Sequence, residues 1–281
     1  MGLCRFAFGL LALAMPASAF GWGENGHIVT ASIAERHLSE KAKAAIKELI
    51  GDRSIADKSI CVWADMIRGS AMYRRKYPDN STWHYINLEV KDEKPDPTAK
   101  EFNERNVLAA IEKFRKVVKD KSVPLEDRKE ALFLLVHFVS DLHQPLHCGS
   151  RNDDKGGNRV MVLFPGKGDA ALRLHGVWDT EIVHEALGGL TAADYATRLN
   201  DRHTDEERKK AAAGEVKDWV LESHRLARDK VYADIPADWP LDGKAFELSR
   251  DYVKRGVPVV EQRLLQGGIR LAKLLNEVFR D

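Results

Sequence analysis

Residues 124–143, PLEDRKEALFLLVHFVSDLH, constrain the fold more than any other stretch of the chain. The almost unbroken apolar run from Ala131 to Leu142 reads as a buried central helix, around which the remaining elements have to pack. That helix nevertheless carries His137 and Asp141, four residues apart and therefore on one face. Groups buried this deeply need partners or a metal ion. Pro145 ends the helix soon afterwards, so His147 can fold back toward the same space, while His143 points elsewhere.

The same chemistry recurs along the chain. LHGVWD supplies His175 and Asp179, again four apart. CVWADMIR sets Asp65 among apolar and aromatic residues, and STWHYIN sets His84 between two aromatics. With His27 these make eight imidazole and carboxylate groups. Mixed nitrogen and oxygen donors suit zinc, and eight donors exceed one tetrahedral site, so the count favours a multinuclear cluster.

Elsewhere the pattern is helical. Helices are expected over 26–38, over 39–51 between a capping Ser39 and Gly51, and over 96–120. Further ones are expected near 175–187, 191–200, 205–231, 245–254 and 257–279. Only WHYINLEV (83–90) and RVMVLF (159–164) look extended. With no internal repeat, low-complexity tract or linker in 281 residues, the fold class is all-α, a mainly helical single domain with at most a short β-hairpin or loop strands.

Residues 1–21 depart from this pattern. Arg5, the apolar stretch FAFGLLALAM and the small residues of PASAFG make a signal peptide, cut after Ala19 or after Gly21. The working domain is then 22–281, secreted or periplasmic, with no membrane anchor and expected to act as a monomer. A cut after Gly21 would expose the α-amine and carbonyl of Trp22 as a chelating pair, with His27 in reach of the same ion. Such a site would be completed only by processing.

Lys and Arg total 44 against 43 Asp and Glu, so no global field draws the protein to a polyanion. Any polyanion partner must be held locally, by a few side chains or by bound cations. Cys61 and Cys148 lie beside Asp65 and His147; export permits an intrachain disulfide Cys61–Cys148, and two buried thiols are the alternative. Asn80-Ser81-Thr82 matches a glycosylation sequon.

Taken in order, WGENGH, WAD, HYIN, HFVSDLHQPLH, GGN and LHGVWD resemble the motif set of the S1/P1 nuclease family, exported and mostly helical zinc enzymes. The resemblance implies three Zn2+. One is held by Asp65, His84, His137 and Asp141, and a second by His147, His175 and Asp179. The third is bound by the Trp22 amine and carbonyl with His27, sharing Asp141. It also implies hydrolysis of single-stranded DNA and RNA by a zinc-activated water to products carrying 5′-phosphate, together with 3′-nucleotidase activity. Asp65 and Asp141 are then catalytic, with Arg68 stabilising phosphoryl charge. Tyr85 stands where the family places an aromatic at the base pocket, Asn87 where fungal relatives carry Asp, and Asn158 in the segment lining the cleft. Arg173 replaces a family Asn and lies either near substrate phosphate or toward solvent. Two rival readings remain open at this point. A zinc-dependent phospholipase C shares the fold, although its Trp-to-His spacing is wider than in WGENGH; the other rival is a non-catalytic zinc-binding helical protein.

Overall fold

The computed structural model describes residues 22–100 and 105–280; the expected signal peptide at 1–21 and the segment 101–104 lie outside the described residues. The helices are α1 (Glu24–Arg36), α2 (Glu40–Ile50), α3 (Lys58–Cys61), α4 (Trp63–Met66), α5 (Ala71–Lys76), α6 (Val107–Lys119) and α7 (Leu125–Leu142). They continue with α8 (Leu174–Gly176), α9 (Ile182–Leu187), α10 (Ala192–Asp201), α11 (Asp205–Ala211), α12 (Val216–Leu226) and α13 (Arg250–Val278). The strands are short: β1 (Leu88–Glu89) pairs parallel with β2 (Gly149–Ser150). β3 (Met161–Leu163) lies between antiparallel β4 (Ala171–Arg173) and parallel β5 (Phe246–Glu247). The mainly helical single-domain expectation holds.

Helix α7 is the axis. Every residue from Ala131 to Leu142 is buried, as its apolar run requires. Apolar side chains gather into two clusters. One joins α2, α3, α6 and α7 with the C-terminal half of α13. The other joins β3, α9, α10 and the N-terminal half of α13. Helix α1 contributes to both, crossing α13 where Gly268 replaces a side chain: a Cβ there would sit 2.5 Å from the Cβ of Ile33. The metal-type side chains come from α1 (His27), α4 (Asp65), the turn before β1 (His84), α7 and the turn after it (His137, Asp141 and His147), and α8 with the residues after it (His175 and Asp179).

Several boundaries differ from expectation, each for a local reason. Ser39 caps α2 by accepting from the Ala42 N–H, and Gly51 closes it, as expected. The helix expected over 96–120 begins only at Val107, because Asn106 takes the cap position and accepts from the Ala109 N–H. The stretch expected as one helix over 205–231 breaks between α11 and α12, where Gly214 adopts φ +80°. The two C-terminal helices are one: α13 runs through Pro258 without a break. Packing of its flanks against α1, α7 and α9 outweighs the missing hydrogen bond.

The disulfide expectation fails. Cys61 and Cys148 are both free and buried. The Cys61 thiol lies against the Ala56 carbonyl and the Cys148 thiol against that of Leu142, so each sulfur is committed to its own backbone segment. Burial pushes both thiols up to about 12. Asn80 is buried too, and its amide donates to the Ala64 carbonyl at 2.9 Å, which closes the sequon in the folded chain. Among the described residues no helix is long and apolar enough to cross a membrane.

Candidate metal centre

The His and Asp side chains singled out in the sequence converge on one buried region. Three groups have donor atoms that lie within 4.8 Å of one another inside each group, the first two sharing His137: Asp65, His84 and His137; His27, His137 and Asp141; His147, His175 and Asp179. Every member is buried.

Asp141 stands at the centre of the first two. Its Oδ2 is 2.8 Å from His84 Nδ1 and 3.1 Å from His137 Nε2. Its Oδ1 faces the other way, 3.4 Å from His27 Nε2. One carboxylate therefore presents one oxygen to each group, which is the geometry of a bridging ligand. Asp65 completes the first group, 3.7 Å from both His84 Nδ1 and His137 Nε2. The His27 and His137 rings stack at 4.1 Å between centroids.

The backbone fixes which nitrogen faces inward. The Nδ1–H of His137 donates to the Cys61 carbonyl at 2.8 Å, that of His147 to the His84 carbonyl at 2.6 Å, and that of His175 to the Gly156 carbonyl at 2.6 Å. A carbonyl only accepts, so each of these rings keeps its proton on Nδ1 and turns a bare Nε2 lone pair toward the centre. Two such lone pairs, on His147 and His175, then meet at 3.2 Å. That contact is repulsive unless a cation lies between them. Zinc–nitrogen bonds of about 2.0–2.1 Å in a tetrahedron place donor atoms roughly 3.3 Å apart. The spacings of 3.2 Å here and 3.4 Å between His175 Nε2 and Asp179 Oδ2 are edges of that size. Buried polar atoms without a hydrogen-bond partner tell the same story: both His27 nitrogens, His84 Nε2, Asp65 Oδ1 and Asp141 Oδ1. The residues fit metal ions.

Without an ion the site is electrostatically poor. Burial pulls His27, His84 and His147 below the ordinary imidazole value and His175 down to about 3. Burial lifts Asp65 to about 6 and Asp179 well above the carboxylate range. Two groups run against burial. His137 is raised because the carboxylates of Asp141 and Asp65 outweigh the loss of water, and Asp141 is lowered because His137 and His147 do the same for it.

Gln144 and three backbone carbonyls escaped the sequence reading. Gln144 is fully buried; its Nε2 donates to Asp179 Oδ1 at 2.6 Å while its Oε1 accepts from the Leu146 N–H at 2.5 Å. An amide enclosed by His143 and Pro145 was the available signal. The carbonyls of Cys61, His84 and Gly156 carry no signal in a sequence at all. Gly156 must be glycine: at φ +61° a Cβ would come within 2.4 Å of the Leu146 carbonyl oxygen.

A cleft of about 380 Å³ opens onto His84, His147 and His175, and its walls include Arg68, Tyr85, Asn87, Lys155, Asn158 and Arg173. The Arg68 guanidinium approaches Asp65 Oδ1 at 3.4 Å. Tyr85 is half-buried and Asn87 exposed. Asn158 turns its amide onto the Lys155 carbonyl at 2.9 Å. Trp22 is buried in the second apolar cluster, and the next residue, Gly23, donates its N–H to the Asp179 carbonyl at 2.8 Å. The chain thus enters α1 beside the metal-type residues.

The S1/P1 Nuclease family model matches residues 22–280. Endonuclease 2 of Arabidopsis thaliana is 31% identical over 92% of this chain and 91% of its own length. Nuclease S1 of Aspergillus oryzae is 27% identical over 94% of each chain, and Nuclease P1 of Penicillium citrinum 27% identical over 92% of this chain and 97% of its own. These matches favour neither a phospholipase nor a non-catalytic zinc binder. The chain belongs to the S1/P1 nuclease family and is a hydrolase of nucleic-acid ester bonds.

Proposed function

We propose that the protein is an exported phosphodiesterase that holds three zinc ions, hydrolyses single-stranded DNA and RNA to products with 5′-phosphate ends, and also acts as a 3′-nucleotidase. The observation that carries this reading is Asp141, whose two oxygens face two different histidine groups from a fully buried position. Asp65, His84, His137 and Asp141 would hold one ion, and His147, His175 and Asp179 another. The third would use His27, Asp141 and the α-amine and carbonyl of Trp22 once the leader is removed. Zinc in these places supplies Lewis acidity, lowering the pKa of water toward neutrality and neutralising phosphate oxygens. Arg68, held beside Asp65, donates to a non-bridging oxygen of the phosphate as its charge develops. Tyr85 offers a ring face for one base, and Asn87 offers both a donor and an acceptor at its edge. Stacking on the Tyr85 ring needs an unpaired base, which supports the preference for single strands.

The test is hydrolysis of a single-stranded oligonucleotide by protein processed to begin at Trp22, with and without a zinc chelator, beside duplex DNA and phosphatidylcholine. Chelator-sensitive cleavage of the single strand, leaving 5′-phosphate ends, is the expected result. Cleavage of the lipid alone, or bound zinc without turnover, would overturn the reading.

A further inference from the structure

The cleft carries two cations that the proposed mechanism does not use. Lys155 and Arg173 line it on the side of His147 and His175, whereas Arg68 stands on the side of Asp65 and His84. Both side chains are exposed, and among the described residues neither has a carboxylate within salt-bridge distance. Asp153 lines the same cleft, and its carboxylate is turned to Arg159 at 3.9 Å.

Both cations are tied to the metal centre by short, stiff connections. Arg173 ends β4 opposite Met161 and is two residues from His175; the Leu174 N–H between them bonds the Val160 carbonyl at 2.9 Å. Lys155 sits between two anchored residues. On one side Asp154 is fully buried, accepting from the Arg151 N–H at 3.0 Å and the Tyr232 hydroxyl at 2.7 Å. On the other, the Gly156 carbonyl holds His175. Lys155 itself adopts φ +57°, with Asn152 and Asp153 also at positive φ, a backbone that non-glycine residues rarely take. Asn158 fixes the Lys155 carbonyl from across the turn. Lys155 is thus held from both sides, in a backbone conformation that non-glycine residues rarely take, at the wall of the cleft.

We propose that Lys155 and Arg173 form a second phosphate subsite, which holds the phosphodiester next to the one being cleaved. The proposal rests on the nuclease reading, with Arg68 serving the scissile phosphate. It makes the enzyme favour strands with at least two phosphates over a substrate with only one. It also explains how a protein of nearly balanced charge, 44 basic against 43 acidic residues, engages a polyanion: through a few fixed cations at the cleft.

The experiment compares a dinucleoside monophosphate with the trinucleotide that extends it by one phosphate, using zinc-loaded wild type, Lys155→Gln, Arg173→Gln and the double variant. Expected is a wild-type preference for the trinucleotide that falls by about fivefold in the double variant, the size an exposed ion pair supports, with the change in KM rather than kcat. The slope of log(kcat/KM) against log[salt] for the trinucleotide becomes shallower by about 0.7, the contribution of one neutralised single-strand phosphate. Arg173→Lys, which keeps the charge, restores slope and preference. An unchanged preference and slope in the double variant, or equal losses on both substrates, overturns the subsite while leaving the nuclease reading intact. Wild type that cleaves neither substrate removes the nuclease reading and the subsite with it.

Discussion

Replacing Asp141 by Asn isolates the bridging role, because the amide keeps the shape and removes the charge. In the wild type the two carboxylate oxygens reach His27 on one side and His84 and His137 on the other. An Asn presents one neutral oxygen and one NH2, so only one of the two groups keeps an acceptor of any kind, and neither keeps an anion. Disturbing an outer-shell partner of a metal typically weakens binding by about 10–100-fold. In the proposed arrangement Asp141 would be a direct ligand shared by two sites, so about 100-fold at each is a modest expectation. By mass action that is about 2.7 kcal/mol of zinc-linked stability per site, about 5.4 kcal/mol together. At about 2–4 °C per kcal/mol for a domain of this size, the zinc-loaded melting temperature falls by roughly 10–20 °C. The metal-free protein loses stability too, but less. There His137 and His147 hold the Asp141 carboxylate below its ordinary range, so its charge is paired in the folded state, and its removal lowers the chelated melting temperature by a smaller amount than the zinc-loaded one. The assay is thermal unfolding of both proteins in zinc and in chelator, with zinc counted by elemental analysis. A variant that keeps three zincs per chain and the wild-type zinc-dependent shift would refute the bridging assignment.

Three further outcomes are expected. Protein with one residue left ahead of Trp22 carries an amide where the α-amine would stand, so it should bind one zinc fewer and lose most of its activity; wild-type zinc content would remove the N-terminal ligand. Gln144→Ala withdraws the donor at 2.6 Å from Asp179 Oδ1 and should weaken zinc retention by about 10–100-fold in a chelator competition, a result that unchanged retention would contradict. Processed protein unfolded without reductant should titrate two thiols, both inert in the native state because burial raises them to about 12, and a count of zero would reinstate the Cys61–Cys148 disulfide.

What the sequence disclosed depended on how local the cause was. The burial of α7 follows from its own apolar run, and the spacing of His137 and Asp141 follows from helix geometry alone. The limits of α2 follow from Ser39 and Gly51. Where a distant contact decides, the local signal misleads. The sequence suggested a boundary at 255–256, two residues ahead of Pro258, yet α13 continues through both because its flanks are held by other helices. The neighbouring positions of Cys61 and Cys148 beside Asp65 and His147 suggested a bond, yet the two thiols turn onto carbonyls of separate segments. Within the site, the eight side-chain donors were legible from their residue types and their apolar surroundings. Gln144 and the three carbonyls that orient His137, His147 and His175 were not, since their roles exist only after α3, the His84 turn and the Gly156 turn have met.

Those carbonyls explain why the centre needs this whole fold and not merely its list of donors. A histidine left to itself exchanges its proton between two nitrogens and rotates freely about its side chain. Each carbonyl removes both freedoms at once, by accepting from Nδ1 and by holding the ring plane. The carbonyl of His84 does so for His147 while its own ring enters another group, so the two groups are coupled through one residue. The Gly156 carbonyl does so for His175 from the same turn that strains Lys155 into the cleft. The turn therefore does two things: it orients the His175 ring and it positions a cation. Substituting Gly156 by Ala would drive a Cβ to 2.4 Å from the Leu146 carbonyl and disturb both, which is the structural reason that zinc binding and phosphate recognition should fail together there.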